Sequence, residues 1–397
     1  MNIDLKKIRQ KIGISLIFTG VTISMYLKYF VHKGQLSPII MLISCLLLCD
    51  RDTFRTGMNW NRGFRFLFLF QIFMLFYLFL FFNDQSDTTI PKQLSFHLYI
   101  LSLIFIFGHT PSLWNRNYLP YLLVISSLLS IVGMVCHLLG LFELDRMLHK
   151  DENSVLEVFT ANIAAYASFI CCMLMMDIKK KKEFLLLIII IAIDLFVIIE
   201  SGKRSYFVAV IASIMLYLYK KQRLGQGIVL LIVSILILFV FIPEFQEMVI
   251  TIADRTISGF SDVYVSQSSV TDWNDSASLR VYLQKLALQK FYDFNLLNVV
   301  FGGGYYCQFF DNPLAESYLD MGFMGLLSYF YLIVIFPFTY IIKFSSDDKK
   351  EILPFYLALM NICIIITNNS PYIYHAYTPI CLMSMYLYSN NQVVKNE

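Results

Sequence analysis

The stretch 66–82, FLFLFQIFMLFYLFLFF, decides how this chain is read. It holds no charged side chain over seventeen residues. About 17–25 mostly apolar residues cross the ~30 Å hydrocarbon layer of a bilayer as a helix. Runs of this kind recur along the 397 residues, parted by short polar breaks. Composition agrees: 58% of positions are apolar, 15% are charged, and the mean hydropathy is +0.64. A soluble domain of this length needs a far more charged surface. The expected fold class is therefore all-α, a polytopic transmembrane helix bundle forming a single integral membrane domain over 1–397.

Working outward from 66–82, about twelve spans are expected, at 12–31, 36–49, 66–82, 94–108, 118–142, 158–176, 184–199, 206–219, 227–243, 320–342, 352–367 and 372–389. The first apolar run has no small-residue cleavage site behind it, so it reads as a retained span rather than a signal peptide. Charge orients the bundle, because cytoplasmic loops carry an excess of Lys and Arg. With the N-terminus inside, the cytoplasmic segments hold twenty basic residues and the outer ones ten, four of which lie in one long loop. Both termini are expected to be cytoplasmic. The net charge of +3 says little about partners, since the charges are sorted by loop. Seven of the eight cysteines fall in apolar runs and only Cys307 lies in the long loop, so no disulfide framework is expected.

That long loop, about 244–318, lies between spans nine and ten and is predicted to be extracytoplasmic. It is too long for an idle connector. Phe245, Met248, Val249 and Ile252 recur at helical spacing, as in a helix lying on a membrane surface. A polar stretch follows at 258–278. A second short helix is predicted from about Ala277 to Phe291, with Asp275 or Ser276 as its cap and Leu279, Tyr282, Leu283 and Leu286 on its apolar face. FGGGYY, 301–306, then reads as a tight turn, and the chain re-enters the membrane through ESYLDMGFMG, 316–325.

The chain has no P-loop, no dinucleotide fingerprint, no HExxH and no GxSxG, so nucleotide-driven work and metalloprotease chemistry are unsupported. The candidates are charges at the outer face. Glu200, Lys203 and Arg204 crowd a short turn, IIESGKRSYF at 198–207. A guanidinium there suits phosphate oxygens, which it grips two at a time; the plainer reading is an interfacial pair that neutralises Glu200 or lipid headgroups. Arg280 opens the second loop helix, where the helix dipole disfavours a cation, which points to an anionic partner or to a solvated side chain. Lys285, Lys290, Asp272 and Asp275 read as solvated. Gly302, Gly303 and Gly304 either cradle a phosphate or simply turn the chain. Glu316, at the mouth of span ten, is a general base if buried, or else a helix cap. His375 lies in NNSPYIYHAYTP, 368–379, beside a proline-broken helix entrance, in a binding or a structural role. Asp194 is an acid inside span seven, fit for a proton relay or a structural hydrogen bond.

Two stretches carry a family likeness. SGKRSYF, 201–207, resembles the small-residue-then-arginine turn of the O-antigen polymerase and ligase superfamily, and most closely of its Wzy-type polysaccharide polymerases. SLRVYLQKLALQKF, 278–291, followed by FGGGYY and ESYLDMGFMGLL, 316–327, is similar to that family's arginine helix, glycine turn and membrane re-entry. Together they cover under a fifth of the chain. The resemblance implies a GT-C-like glycosyltransferase of the bacterial inner membrane that needs no metal, nucleotide or other cofactor. It implies an undecaprenyl-diphosphate-linked oligosaccharide as substrate, lipid as surroundings and a chain-length regulator protein as a possible partner, with no nucleic acid. By the same resemblance Arg204 and Arg280 are catalytic, binding diphosphate and stabilising the leaving group, while the base stays unassigned and Glu316 stands in for it; Lys203 and His375 join the substrate-binding candidates from their own positions at the outer face. The His-Asn pair of the ligases is absent, its positions being Ala315 and Glu316. The RX10G pattern of some polymerases is absent too, since Met215 and Phe291 stand eleven residues beyond the two arginines. The alternatives are an O-antigen ligase, or a non-enzymatic transporter or flippase for a lipid-linked saccharide.

Overall fold

The computed structural model describes residues 5–31, 36–49, 60–82, 89–110, 114, 118–141, 158–176, 181–201, 204–221, 246, 250, 286–307, 312–343, 348–367 and 370–396. Among these the chain is helical, with one isolated bridge between Phe82 and Tyr305. The helices are α1 (Leu5–Val31), α2 (Ser37–Leu48), α3 (Arg62–Leu80), α4 (Ile90–His109), α5 (Leu119–Leu138), α6 (Val158–Met175), α7 (Lys181–Glu200), α8 (Arg204–Lys220), α9 (Leu296–Phe301), α10 (Pro313–Phe330), α11 (Phe336–Lys343), α12 (Lys349–Thr367) and α13 (Tyr374–Asn396). A short helical piece at 286–293 precedes α9.

Helices overlap the expected apolar segments where both are described, with several boundaries shifted, and the segment at 227–243 lies outside the described residues. Five helical stretches are long and apolar enough to cross a membrane: Leu5–Leu27, Arg62–Leu80, Ile90–His109, Leu119–Leu138 and Pro313–Ile342. Ser37–Leu48, Ala161–Met175 and Ser205–Lys220 are apolar but shorter. The outward faces carry bare hydrophobic side chains, among them Leu69, Phe79, Val124, Leu128, Leu185 and Leu186. That inverts a soluble protein's surface and identifies an integral membrane protein.

The interior holds the small and hydroxylated residues. Ser127 of α5 and Ser168 of α6 share a hydrogen bond of 2.9 Å. The Tyr166 hydroxyl of α6 donates to the Tyr356 carbonyl of α12 at 2.8 Å. In hydrocarbon, helices associate through close packing and such interhelical bonds rather than through expulsion of water. Asn61 caps α3 by accepting from the Phe64 N–H at 3.0 Å, and its amide donates to the Ser384 carbonyl of α13 at 2.6 Å. One residue thus both starts a helix and docks it.

The segment α10 to α11 departs from a plain span. The span was expected from 320, but the helix starts at Pro313, because Asn312 caps the N–H groups of Leu314 and Ala315 at 3.1 Å and proline suits the first turn. It then kinks at Gly322, whose φ of 63° only glycine adopts readily. A π-helical turn, Tyr331–Ile335, joins it to α11. Pro337 follows directly, and the widened turn accommodates a residue that has no N–H and crowds the carbonyl four positions back. All eight cysteines are free, as the sequence led one to expect.

Candidate functional site

Glu316 and Asp320 stand one turn apart on α10, and both are fully buried. Residues four apart share a helix face. That face meets the segment entering α13. The Ser370 hydroxyl donates to Glu316 Oε1 at 2.6 Å. The Tyr372 hydroxyl donates to Asp320 Oδ2 at 2.6 Å, and the main-chain N–H of Cys307 donates to Asp320 Oδ1 at 2.9 Å. Both oxygens of Asp320 are therefore held, one by a phenol and one by backbone. Glu316 meets a mobile type of donor, a serine hydroxyl. Asn312, not Glu316, caps α10.

The kink at Gly322 creates the other half of this arrangement. Breaking the helix there releases the carbonyls of Leu319 and Asp320 from their normal partners, and buried carbonyls must find others. The Gly303 N–H takes the first at 2.6 Å and the Gly304 N–H the second at 3.1 Å. The Gly302 N–H goes to the Asn298 carbonyl at 2.7 Å, and the Tyr305 N–H to the Phe81 carbonyl at 2.8 Å. Every donor of the glycine turn is thus spent on protein, which excludes the phosphate cradle and leaves the turn as a structural lock.

Tyr305 carries that lock into the bundle. Its hydroxyl lies 2.9 Å from His97 Nε2 and 3.2 Å from Gln93 Oε1 on α4, while His97 Nδ1 lies 2.9 Å from Gln71 Oε1 on α3. The Tyr305 ring also packs on Tyr372, with centroids 4.8 Å apart. Burial, reinforced by the negative charge of Asp320, raises the Tyr305 hydroxyl far above the usual range of a phenol. The same two causes push the Cys307 thiol up, with Lys290 pulling weakly the other way. Lys290 therefore sits within electrostatic reach of the Cys307 thiol and is only partly exposed. Around it Leu286, Ala287 and Phe294 pack against Tyr318 and Leu319, so the end of the long loop docks directly on α10.

His375 takes a different place. It lines a cavity of about 40 Å³ with Phe18, Thr22, Tyr99, Tyr166 and Thr378, and neither ring nitrogen has a hydrogen-bond partner among the described residues. That volume suits a water or two and not a sugar ring. His375 and Glu316 are thus held by one segment, 370–379, but face different spaces. The backbone of Arg204 opens α8, three residues after buried Ser201, whose hydroxyl bonds the Ile198 carbonyl at 2.7 Å. The Arg204 side chain, Lys203, Arg280, Lys285, Asp272, Asp275, the polar stretch 258–278 and most of both expected loop helices lie outside the described residues.

The sequence singles out Glu316 as a candidate but not Asp320, Tyr372 or Ser370, which the structure places beside it. The four-residue spacing of Glu316 and Asp320 was a readable signal; the tyrosine and serine partners come from a segment fifty residues on and left none. Among the described residues no group of three His, Cys, Asp or Glu side chains is placed to hold a metal ion. No protein-family model and no curated protein matches the chain.

Proposed function

We propose that this protein is a glycosyltransferase that polymerises undecaprenyl-diphosphate-linked oligosaccharide repeat units into O-antigen or capsular polysaccharide. It works at the outer face of the bacterial inner membrane, in a GT-C-like bundle of about twelve spans with both termini cytoplasmic. The observation that carries the reading is Glu316, a buried carboxylate at the head of a membrane helix that accepts a hydrogen bond from a hydroxyl at 2.6 Å. A general base must sit within about 2.6–3.2 Å of the proton it takes. Ser370 Oγ marks the position that an acceptor sugar hydroxyl would occupy. The order of the sequence motifs supports the same reading, as does the docking of Leu286 on α10, since Arg280 lies six positions before it.

In this mechanism the acceptor hydroxyl gives its proton to Glu316 and attacks the anomeric carbon of the donor chain. The bond from that carbon to phosphate oxygen breaks, and undecaprenyl diphosphate departs with the bonding electrons. Arg204 and Arg280 bind the diphosphate and stabilise its growing charge, the electrostatic contribution that usually dominates such steps. The lipid diphosphate is itself the leaving group, so the energy of the step is already in the substrate. Asp320 holds Cys307 and Tyr372 and so fixes the loop on the helix that carries Glu316.

Deleting the protein in its native host tests the assignment. Cells should then carry single repeat units in place of a ladder of chain lengths. Arg204→Ala and Arg280→Ala should give the same pattern at normal membrane levels of protein, and lysine should rescue poorly where two phosphate oxygens are gripped at once. A normal ladder in the deletion strain rejects the proposal. Full polymer on undecaprenyl diphosphate that never reaches its final acceptor favours a ligase instead.

A further inference from the structure

Asp194 lies midway along α7, fully buried, where α7 packs on α5 and α6. Among the described residues neither carboxylate oxygen has a hydrogen-bond partner of good geometry. The hydroxyls of Ser130 on α5 and Ser168 on α6 stand beside it. Ser130 Oγ is itself unpartnered, as is Ser126 Oγ one turn away on the same stripe of α5, and both residues are fully buried. Ser168 is tied to Ser127 at 2.9 Å. The titratable groups that feel Asp194 are two thiols of α6, Cys171 and Cys172; no basic side chain among the described residues pairs with it.

A bare carboxylate in the middle of a helix bundle is costly, because the low-dielectric interior repays nothing for the lost hydration unless a counter-charge is present. Intramembrane acids persist where they pair or bind ions. Here both Asp194 oxygens and Ser130 Oγ lack a hydrogen bond of good geometry among the described residues, with Ser168 Oγ adjacent. Oxygen-only sets of this kind suit hard cations. The bulkier soft ligands of the neighbourhood, the two thiols, do not compete for such an ion.

We infer that Asp194, Ser130 and Ser168 form an intramembrane binding site for one monovalent cation, either a sodium ion or a proton. This site is separate from Glu316 and Asp320, which lie on α10, and the inference does not depend on the glycosyltransferase reading. Occupancy neutralises the carboxylate and ties α7 to α5 and α6; loss of the cation leaves those helices joined by a repulsive buried charge. Packing between the three helices thereby depends on the cation.

The test uses the full-length protein purified in lipid nanodiscs. If the ion is sodium, ²²Na⁺ binds wild type at about one per chain, and raising NaCl in place of choline chloride lifts the unfolding temperature by about 2–4 °C. Both effects should vanish in Asp194→Asn and fall at least threefold in Ser130→Ala. If the ion is a proton, sodium has no effect, and infrared difference spectra across neutral pH show a protonated carboxyl band in wild type that Asp194→Asn lacks. Should Asp194→Asn fail to fold, the wild-type sodium titration and the milder Ser130→Ala variant still decide. Wild type with neither sodium binding nor a titrating carboxyl, or Asp194→Asn binding sodium as wild type does, overturns the inference.

Discussion

Gly302 and Gly322 interlock: each has a positive φ, and each occupies the space a side chain on the other's strand of backbone would need. A Cβ on Gly302 would strike the Asp320 carbonyl and the Met321 nitrogen, and one on Gly322 would strike the Val300 carbonyl and the Phe301 nitrogen. Their φ values are 80° and 63°. The loop that ends in FGGGYY and the kink of α10 are therefore one structural unit, and the kink is what places Glu316 and Asp320 against the entrance of α13.

Alanine at either glycine should destabilise the fold strongly, since it combines an unfavourable φ with a backbone clash. The φ strain alone is worth roughly 1–3 kcal/mol at each position. The double variant should cost less than the sum, because both changes break the same contact. Thermal unfolding in detergent of the two singles and the double measures this. Additive losses would mean that the two glycines do not share a contact.

Tyr372→Phe removes one of the two donors to Asp320 and leaves a fully buried carboxylate a partner short. A hydrogen bond to a charged group is worth about 1.5–3 kcal/mol, so a comparable loss of stability is expected. Asp320→Asn in the Tyr372→Phe background should cost less than either variant's sum, because the charge that needed the phenol is gone. Chemical denaturation of the four proteins closes this cycle.

Cys307 should react slowly with maleimide near neutral pH, because its thiol is held protonated by burial and by the nearby Asp320. The thiolate is the nucleophile, so raising the pH should speed labelling, and Asp320→Asn should speed it at fixed pH by removing the negative neighbour and freeing the Cys307 N–H. Mass spectrometry of timed samples reads both effects. Labelling as fast as that of a free cysteine would show that the loop is not docked as described.

Ser370→Ala should remove the serine donor from Glu316 Oε1 and open that position to an acceptor hydroxyl, with chain extension kept within about tenfold of wild type. Glu316→Gln should lose the two to four orders of magnitude typical of removing a general base. Gel ladders from cells expressing each variant compare them. Equal defects in both would mean that the serine is itself required for the reaction.

The helices were legible in the sequence because membrane spans announce themselves through length and composition, and α3, α4 and α5 fall within about four residues of where hydropathy placed them. Glu316 was legible as a charge beside an apolar run. The start of α10 at Pro313 was not, because Asn312 and Pro313 make a local cap that hydropathy does not register. Nor was the lock of the glycine turn, since it depends on carbonyls released by a kink twenty residues later. Asp320 sat in plain view four residues after Glu316, yet its partners Tyr372 and Cys307 come from two separate segments that only the folded bundle brings together.

The most direct test of the central claim is chain extension by the purified protein in nanodiscs, supplied only with undecaprenyl-diphosphate-linked repeat units. Wild type should convert them into a ladder with release of undecaprenyl diphosphate, with no nucleotide or metal added. Glu316→Gln, matched to wild type in unfolding temperature, should yield no product longer than the starting unit. Extension by Glu316→Gln at the wild-type rate, or no extension by a folded wild type, would contradict the account.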